Sequence, residues 1–226
     1  MKVISATVLE DYHWNRDNEY GNLEVVERRI MVDDGPNLDM LRGSALHAVL
    51  EDPERYRGYD GEYPLLRYKE GDFVQEFAAA SIYQLRDEIG TATHEVRASF
   101  EVDDLVRVSC KCDGLYGNRG DEYKCPRKPI DLSQYEESYQ WRIYAHAFGV
   151  AQIRYHIVRL DIPKRNPIAL VKDYKPLDLY AYTNLARDVE ELVREFWMFV
   201  EERSLEPYFR EAEEDDSPWA RTNRRR

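Results

Sequence analysis

A change of hydrophobic period limits most strongly what this chain can become. From Asp104 to Leu115, apolar and polar residues alternate. Val106, Val108, Cys110 and Cys112 fall on one face, and Arg107, Ser109, Lys111 and Asp113 on the other. The stretch Gly114-Leu-Tyr-Gly-Asn-Arg-Gly120 has the composition of a turn. A short strand over Asp121 to Cys125 follows and predicts a hairpin with the preceding one. A two-stranded hairpin is marginal by itself, so it needs further strands or a covering helix.

The flanks supply both. Asn37 to Glu51 repeats Leu38, Leu41, Ala45 and Val49 at helical spacing, with Pro53 beyond its end. Asp72 to Ile89 reads as a second helix, capped by Asp72, with Val74, Phe77, Ser81, Leu85 and Ile89 on one face and Gly90 as its stop. His94 to Val102 reads as a strand. Ser133-Gln-Tyr-Glu136 has the form of a capping box and opens a helix to about Phe148, stopped by Gly149. Gln152 to Ile162 and Ile168 to Lys172 read as strands. Thr183 to Arg203 is a long helix with Leu185, Val189, Leu192, Phe196 and Val200 inward. Residues 1–35 hold two weak strand-like stretches, Leu23 to Val32 among them. Residues 52–71 have loop composition, and the last twenty residues read as peripheral. The order predicts a mixed α/β fold, a central β-sheet flanked by helices.

At 226 residues the chain is long enough for one domain over 1–210, followed by a charged C-terminal tail over 211–226. Hydrophobic residues make up 43%, which is globular composition. No run of about 18 apolar residues exists to span a membrane, and the N-terminus lacks the form of a signal peptide. The expected location is the cytoplasm. The three cysteines, Cys110, Cys112 and Cys125, are poor material for a secreted disulfide framework. A net charge of −12 argues against coating nucleic acid through bulk charge, though not against gripping a few phosphates locally.

The hairpin also carries chemistry. Asp113 ends one strand on its polar face. Glu122 and Lys124 lie two apart on the next, so they share a face. Two carboxylates can hold a hard cation such as Mg²⁺, which prefers oxygen ligands and keeps several waters. A lysine beside them can orient an attacking water and stabilise developing negative charge. This is the equipment that phosphodiester hydrolysis needs. Glu-x-Lys by itself is common in charged chains and, taken alone, is far more often an ordinary solvated strand face.

Four motifs appear in a fixed order: Gly43-Ser-Ala-Leu-His47, Asp113, Glu122-Tyr123-Lys124, and Gln140-x-x-x-Tyr144. Together they span residues 43–148, and the set resembles the PD-(D/E)XK nuclease superfamily, in its RecB-like, phage-type exonuclease branch. Cys112 and Lys111 precede Asp113 where many members carry a nearby glycine, and no proline precedes it.

The resemblance implies a restriction-endonuclease-like core and a Mg²⁺- or Mn²⁺-dependent DNA exonuclease using one or two ions. Asp113 and Glu122 would bind metal with the Tyr123 carbonyl and with His47. Lys124 would serve the nucleophilic water. Gln140 and Tyr144, one helical turn apart, would contact phosphate or brace Lys124. Glu95 is a further acidic candidate. The resemblance also implies duplex DNA ends as substrate, a homo-oligomer around DNA, a single-strand annealing protein as partner, and the host cytoplasm if the chain is phage-encoded. An endonuclease of the same fold and a non-catalytic DNA- or protein-binding module are the alternatives.

Plainer readings stand beside these. His47 fits a core or surface position on an amphipathic helix, and Gln140 and Tyr144 fit helix packing. Arg127, Lys128 and Arg142 flank the site and could meet DNA phosphates, and Tyr135, Tyr139 and Trp141 could stack bases, but surface charge and core aromatics explain them as well. Some RecB-like nucleases hold an iron–sulfur cluster on four cysteines. With no cysteine after Cys125, none is expected here, and Cys110 and Cys112 are expected in the core.

Overall fold

A computed structural model describes residues 1–32, 35–60, 63–90, 95–163 and 167–212. The chain opens with β1 (Lys2–Ser5), α1 (Ala6–Asp17), α2 (Leu23–Met31) and α3 (Leu38–Glu51). A 3₁₀ turn at Pro53–Tyr56 leads into β2 (Arg57–Asp60), β3 (Tyr63–Glu70) and β4 (Phe73–Ala78), then α4 (Ala79–Ile89). Next come β5 (Val96–Val102), β6 (Val106–Cys112), β7 (Gly114–Tyr116) and β8 (Arg119–Lys124). The chain continues through α5 (Leu132–Glu137), α6 (Gln140–Phe148), β9 (Gln152–Asp161), β10 (Ile168–Tyr180) and α7 (Leu185–Glu202).

The strands form two sheets. The smaller has the order β1-β6-β5 and the larger β2-β3-β4-β10-β9-β8-β7, and both mix parallel and antiparallel neighbours. Helices cover them. One apolar cluster joins α1, α6 and α7 to β6 and β9 through residues such as Leu9, Ile143, Ile157 and Phe196. A second joins α3 and α4 to β3, β4 and β8 through Leu46, Val49, Leu66, Phe77, Ile82 and Tyr123. The mixed α/β architecture is therefore as the sequence order predicts.

β6 alternates as its sequence demands: Val106, Val108, Cys110 and Cys112 are buried, while Arg107, Ser109 and Lys111 are not. β6 does not form the hairpin with β8, however. The chain leaves the smaller sheet at Asp113 and enters the larger one as β7, which pairs with β8. Two backbone features fix this crossing. Gly117 turns the chain at φ +56°. Gly120 lies so close to its neighbours that a Cβ there would stand 2.8 Å from Ile153 Cδ1 and 3.3 Å from Cys112 Sγ.

Other elements depart from the sequence reading. Leu23–Met31 is helical, capped by Asn22, whose side chain accepts from the Glu24 N–H. Arg57–Asp60 and Tyr63–Glu70 are not loop but the paired strands β2 and β3. Asp72 does not cap a helix: Phe73–Ala78 is a strand, and α4 begins only at Ala79. Gly90 does stop α4, at φ 86°. The helix expected from Ser133 is two helices, and Asp131, not Ser133, caps the first by accepting the Ser133 N–H. Strand β10 runs eight residues further than expected, to Tyr180.

The segment past α7 is tied down. Phe209 packs on Phe196 and Trp197, the Val3 N–H donates to the Arg210 carbonyl, and Glu211 pairs with Lys2. The acidic and basic runs beyond residue 212 lie outside the described residues, as does His94. Cys110 and Cys112 are buried in the core as expected, and burial pushes both thiols up to about 12.

Candidate active site

The crossing at Asp113 builds the site. Its backbone N–H donates to the Asp121 carbonyl, which docks the crossover against β8. Its side chain then faces β8: Oδ2 accepts the Tyr123 N–H at 2.8 Å. From α3, His47 approaches the same point. Its Nδ1 lies 3.3 Å from Asp113 Oδ1 and its Nε2 lies 3.2 Å from the Tyr123 carbonyl oxygen. The α3 residues that bring it there are the buried Ala45, Leu46, Val49 and Leu50.

Burial pushes the Asp113 carboxyl up and the His47 imidazole down, but their mutual attraction outweighs burial in both. Asp113 ends below the usual carboxylate range and His47 above the usual histidine value.

Glu122 and Lys124 share one face of β8, as their spacing requires. Lys124 Nζ donates to Glu122 Oε1 at 3.0 Å and to Gln140 Oε1, and it lies over the Tyr155 ring, 5.3 Å from its centroid. Glu122 is 7% exposed, and its other oxygen, Oε2, is buried without a hydrogen-bond partner. Burial pushes this carboxyl up to about 7. Lys124 opposes the shift and Asp113 adds to it.

Helix α6 supplies the third side. Gln140 is its first residue, and its amide bridges Lys124 on one side and Tyr144 on the other, with Nε2 donating to the Tyr144 hydroxyl at 3.0 Å. Tyr144 is buried, and desolvation holds its phenol neutral, well above its ordinary value.

The donors present are two carboxylates, an imidazole and a backbone carbonyl. Among the described residues, no three His, Cys, Asp or Glu side chains converge to enclose an ion by themselves. The set suits an ion that keeps several waters, such as Mg²⁺ or Mn²⁺, and not a closed cage. The partnerless Glu122 Oε2 is the donor most in need of a cation. His47 uses both ring nitrogens to bridge Asp113 and Tyr123, so metal ligation would require it to give up one of those contacts.

His47, Asp113, Glu122, Tyr123, Lys124, Gln140 and Tyr144 are thus brought together. Glu95 is not. It precedes β5 in the smaller sheet and pairs with Arg97 and Lys111, which hold it below the usual carboxylate range against the opposing effect of burial. Arg127 and Lys128 are exposed on the chain that leaves β8 just past Lys124. Arg142 is committed elsewhere: its guanidinium donates to the carbonyls of Glu136, Glu137 and Ser138 and lies over Tyr139 and Trp141. Trp141 is buried, so it offers no open face for base stacking, and the Tyr135 ring lies against Tyr155.

Sequence reasoning missed Tyr155, the fully buried ring beneath Lys124, and Glu10, whose carboxylate reaches the start of α6. It also missed a polar group behind the site. Asp121 takes a two-bond grip from Arg119, at 2.7 and 3.0 Å, and lies 3.3 Å from His156 Nε2. His156 Nδ1 meets the Tyr174 hydroxyl at 2.8 Å. Asp121 and Tyr155 sit on strands that read as apolar or solvated alternation, and nothing in the one-dimensional pattern marks them.

No family model matches the chain, and no curated protein matches it. Among solved structures, the alkaline exonuclease LHK-Exo from Laribacter hongkongensis is 12% identical, with 88% of each chain covered and a TM-score of 0.49. The same exonuclease in complex with dAMP is 14% identical over 90% of this chain and 93% of that one, with a TM-score of 0.40. The structure of SSO0001 is 13% identical over 88% of this chain and 77% of that one, with a TM-score of 0.48. The solved structures this chain is similar to therefore include an exonuclease, at low identity.

Proposed function

We propose that the chain is a divalent-metal-dependent nuclease that hydrolyses phosphodiester bonds at DNA ends. The reading is carried by Glu122, a carboxylate sealed into the protein with one oxygen on Lys124 and the other partnerless, next in sequence to Tyr123, whose N–H the Asp113 carboxylate accepts. A buried, half-satisfied carboxylate costs stability unless a charge answers it. A cation would answer it here.

Asp113 and Glu122 would hold the ion with the Tyr123 carbonyl, and His47 would join by exchanging one of its present contacts. A bound ion of this class polarises the phosphate and lowers the pKa of a coordinated water. Lys124 orients the attacking water and stabilises charge as it develops on the phosphate oxygens. Gln140 limits where the lysine head can go. Tyr144, kept neutral, holds the far end of the Gln140 amide. Arg127 and Lys128 offer exposed positive charge next to the site for the DNA backbone, which a chain of net charge −12 must bind locally if at all.

Action at ends, as opposed to internal cutting, rests on the resemblance of the four ordered motifs to the RecB-like, phage-type branch. A ring-forming homo-oligomer, an annealing partner and a role in recombination belong to the same proposal. The test is incubation with linear and closed-circular DNA, in Mg²⁺, in Mn²⁺ and in chelator, beside Lys124→Ala. Loss of linear DNA alone, abolished by chelator and by the substitution, is the expected result. Cutting of closed circles overturns the exonuclease reading in favour of an endonuclease, and no metal-dependent cleavage at all leaves a binding module.

A further inference from the structure

The first turn of α6 has no cap from its own N-cap residue. Tyr139, at the N-cap position, makes no side-chain capping bond, and the opening N–H groups of any helix have no intrahelical acceptor. The acceptor comes from 130 residues earlier. Glu10, on α1, places a single carboxylate oxygen, Oε2, at 2.7 Å from both the Tyr139 N–H and the Gln140 N–H. Ser138 Oγ also accepts from Gln140, at the longer distance of 3.2 Å. A carboxylate at a helix N-terminus gains from both hydrogen bonding and the helix dipole.

The residue so fixed is the one whose side chain holds Lys124. We infer that Glu10 is a positioning residue for Lys124: by pinning the backbone of Gln140 it sets where the Gln140 amide stands, and through that amide the place of the Lys124 ammonium. The path is short and continuous: Glu10 carboxylate, Gln140 backbone, Gln140 amide, Lys124 Nζ. Tyr155, under the ammonium, closes the side that Gln140 leaves open. An acid on α1 that only stabilised the fold could cap any helix; this one caps the turn that carries Gln140, which with Glu122 holds Lys124.

The inference deepens the nuclease reading, and its activity consequence rests on that reading. Its structural content does not, so the two can fail separately. The readout without activity is the rate at which Lys124 is acetylated by an N-hydroxysuccinimide ester, followed by mass spectrometry, with the exposed Lys69 and Lys175 as internal controls. Glu10→Ala is expected to raise Lys124 acetylation about 10-fold, the low end of the effect of removing an outer partner of a site residue. Glu10→Gln keeps one acceptor oxygen for both N–H groups and should stay within about 2-fold of the parent. Gln140→Ala should label as fast as Glu10→Ala, and the double variant no faster, because both break one path. Unchanged Lys124 labelling in Glu10→Ala, or additive effects in the double variant, would overturn the inference.

If Glu10→Ala fails to fold, so that all three lysines label faster together, Glu10→Asp decides. Its shorter arm cannot reach both N–H groups, so selective acceleration at Lys124 supports the inference and parent-like labelling overturns it. In the cleavage assay kcat should fall about 10-fold in Glu10→Ala with KM for DNA unchanged. A parent protein that cleaves no DNA sinks the nuclease reading and leaves the labelling result to decide the role of Glu10.

Discussion

Asp113 and Tyr123 are joined by a hydrogen bond that spans the junction of two sheets: the carboxylate at the end of one holds the backbone N–H of a central residue in the other. The same peptide strand turns its carbonyl toward His47. Asp113 therefore both orients β8 and contributes negative charge to the site. Asp113→Asn keeps the shape and an acceptor oxygen but removes the charge. Cleavage in Mg²⁺ should fall by about 10²- to 10³-fold, the usual cost of losing one preorganised electrostatic group. Retained cleavage in a folded Asp113→Asn protein would contradict a metal role for this residue.

Metal binding itself should be visible without any substrate. An ion that binds the folded chain alone stabilises it by mass action, by about 2.7 kcal/mol when present at 100 times its Kd. Mn²⁺ should raise the melting temperature of the parent, and the rise should disappear in Asp113→Asn and in Glu122→Gln. Calorimetric titration checks the same point. Equal shifts in all three proteins would place the ion elsewhere.

Glu122 gives a pH signature with a definite sign. Its folded carboxyl is raised to about 7 by burial, with Lys124 opposing the shift and Asp113 reinforcing it. A carboxyl raised on folding costs nothing below its unfolded pKa of about 4.3, and costs progressively more as pH climbs toward the folded value. Glu122→Gln removes that cost. In chelator, urea unfolding should find the variant more stable than the parent by about 1–3 kcal/mol at pH 8, with no difference near pH 4. A variant less stable at pH 8 would mean that this carboxylate is not under strain.

Asp121 should behave in the opposite sense. Burial pushes its carboxyl up, but His156 and Arg119 outweigh burial and leave it below the usual carboxylate range. Stability from a lowered carboxyl is present above its unfolded pKa of about 3.9 and is lost as pH falls through the folded value. Asp121→Asn strands Arg119 and His156 beside a neutral amide and should cost about 3–5 kcal/mol at neutral pH. The gap from the parent should narrow below pH 4, and denaturant titrations at two pH values read it.

Gly120→Ala tests the packing that fixes the crossover. Its new methyl would force the buried Ile153 Cδ1 to shift and would crowd Cys112 Sγ, and overpacking of this kind typically costs about 1–3 kcal/mol. A shift in the urea midpoint at unchanged slope is the expected reading.

The legible parts of this fold were those in which one physical signal acted alone. Helix α7 carries a clear apolar stripe, β6 alternates cleanly, and Gly90 and Gly149 mark helix ends at positive φ. Strand β4 reads as helix in the sequence because Val74, Phe77 and Ser81 also satisfy helical spacing, and no capping side chain marks the border at Ala78. The segment Leu23–Met31 is apolar enough for either structure, and the Asn22 cap decides it. At the site, the motif residues could be read because they keep a fixed order along the chain. Glu10 could not, because it acts through a contact between α1 and α6 that only the tertiary fold creates.

The larger sheet has one narrow join. Strands β2–β4 connect to the rest through β4 and β10, which among the described residues pair in parallel at Ile168–Glu76 and Ala169–Phe77. Helix α3, with His47, packs in a cluster that bridges that join, from Leu66 and Phe77 on β3 and β4 to Tyr123 on β8 and Val158 on β9, while Glu122 sits on β8, paired along six residues with β9. Segments held by few backbone hydrogen bonds open first in local unfolding. In a native-state exchange experiment, amides of β4 should therefore exchange before those of β8 and β9. Opening of the β4 side would carry His47 away from Asp113 and the Tyr123 carbonyl and leave Glu122, Lys124 and Gln140 together.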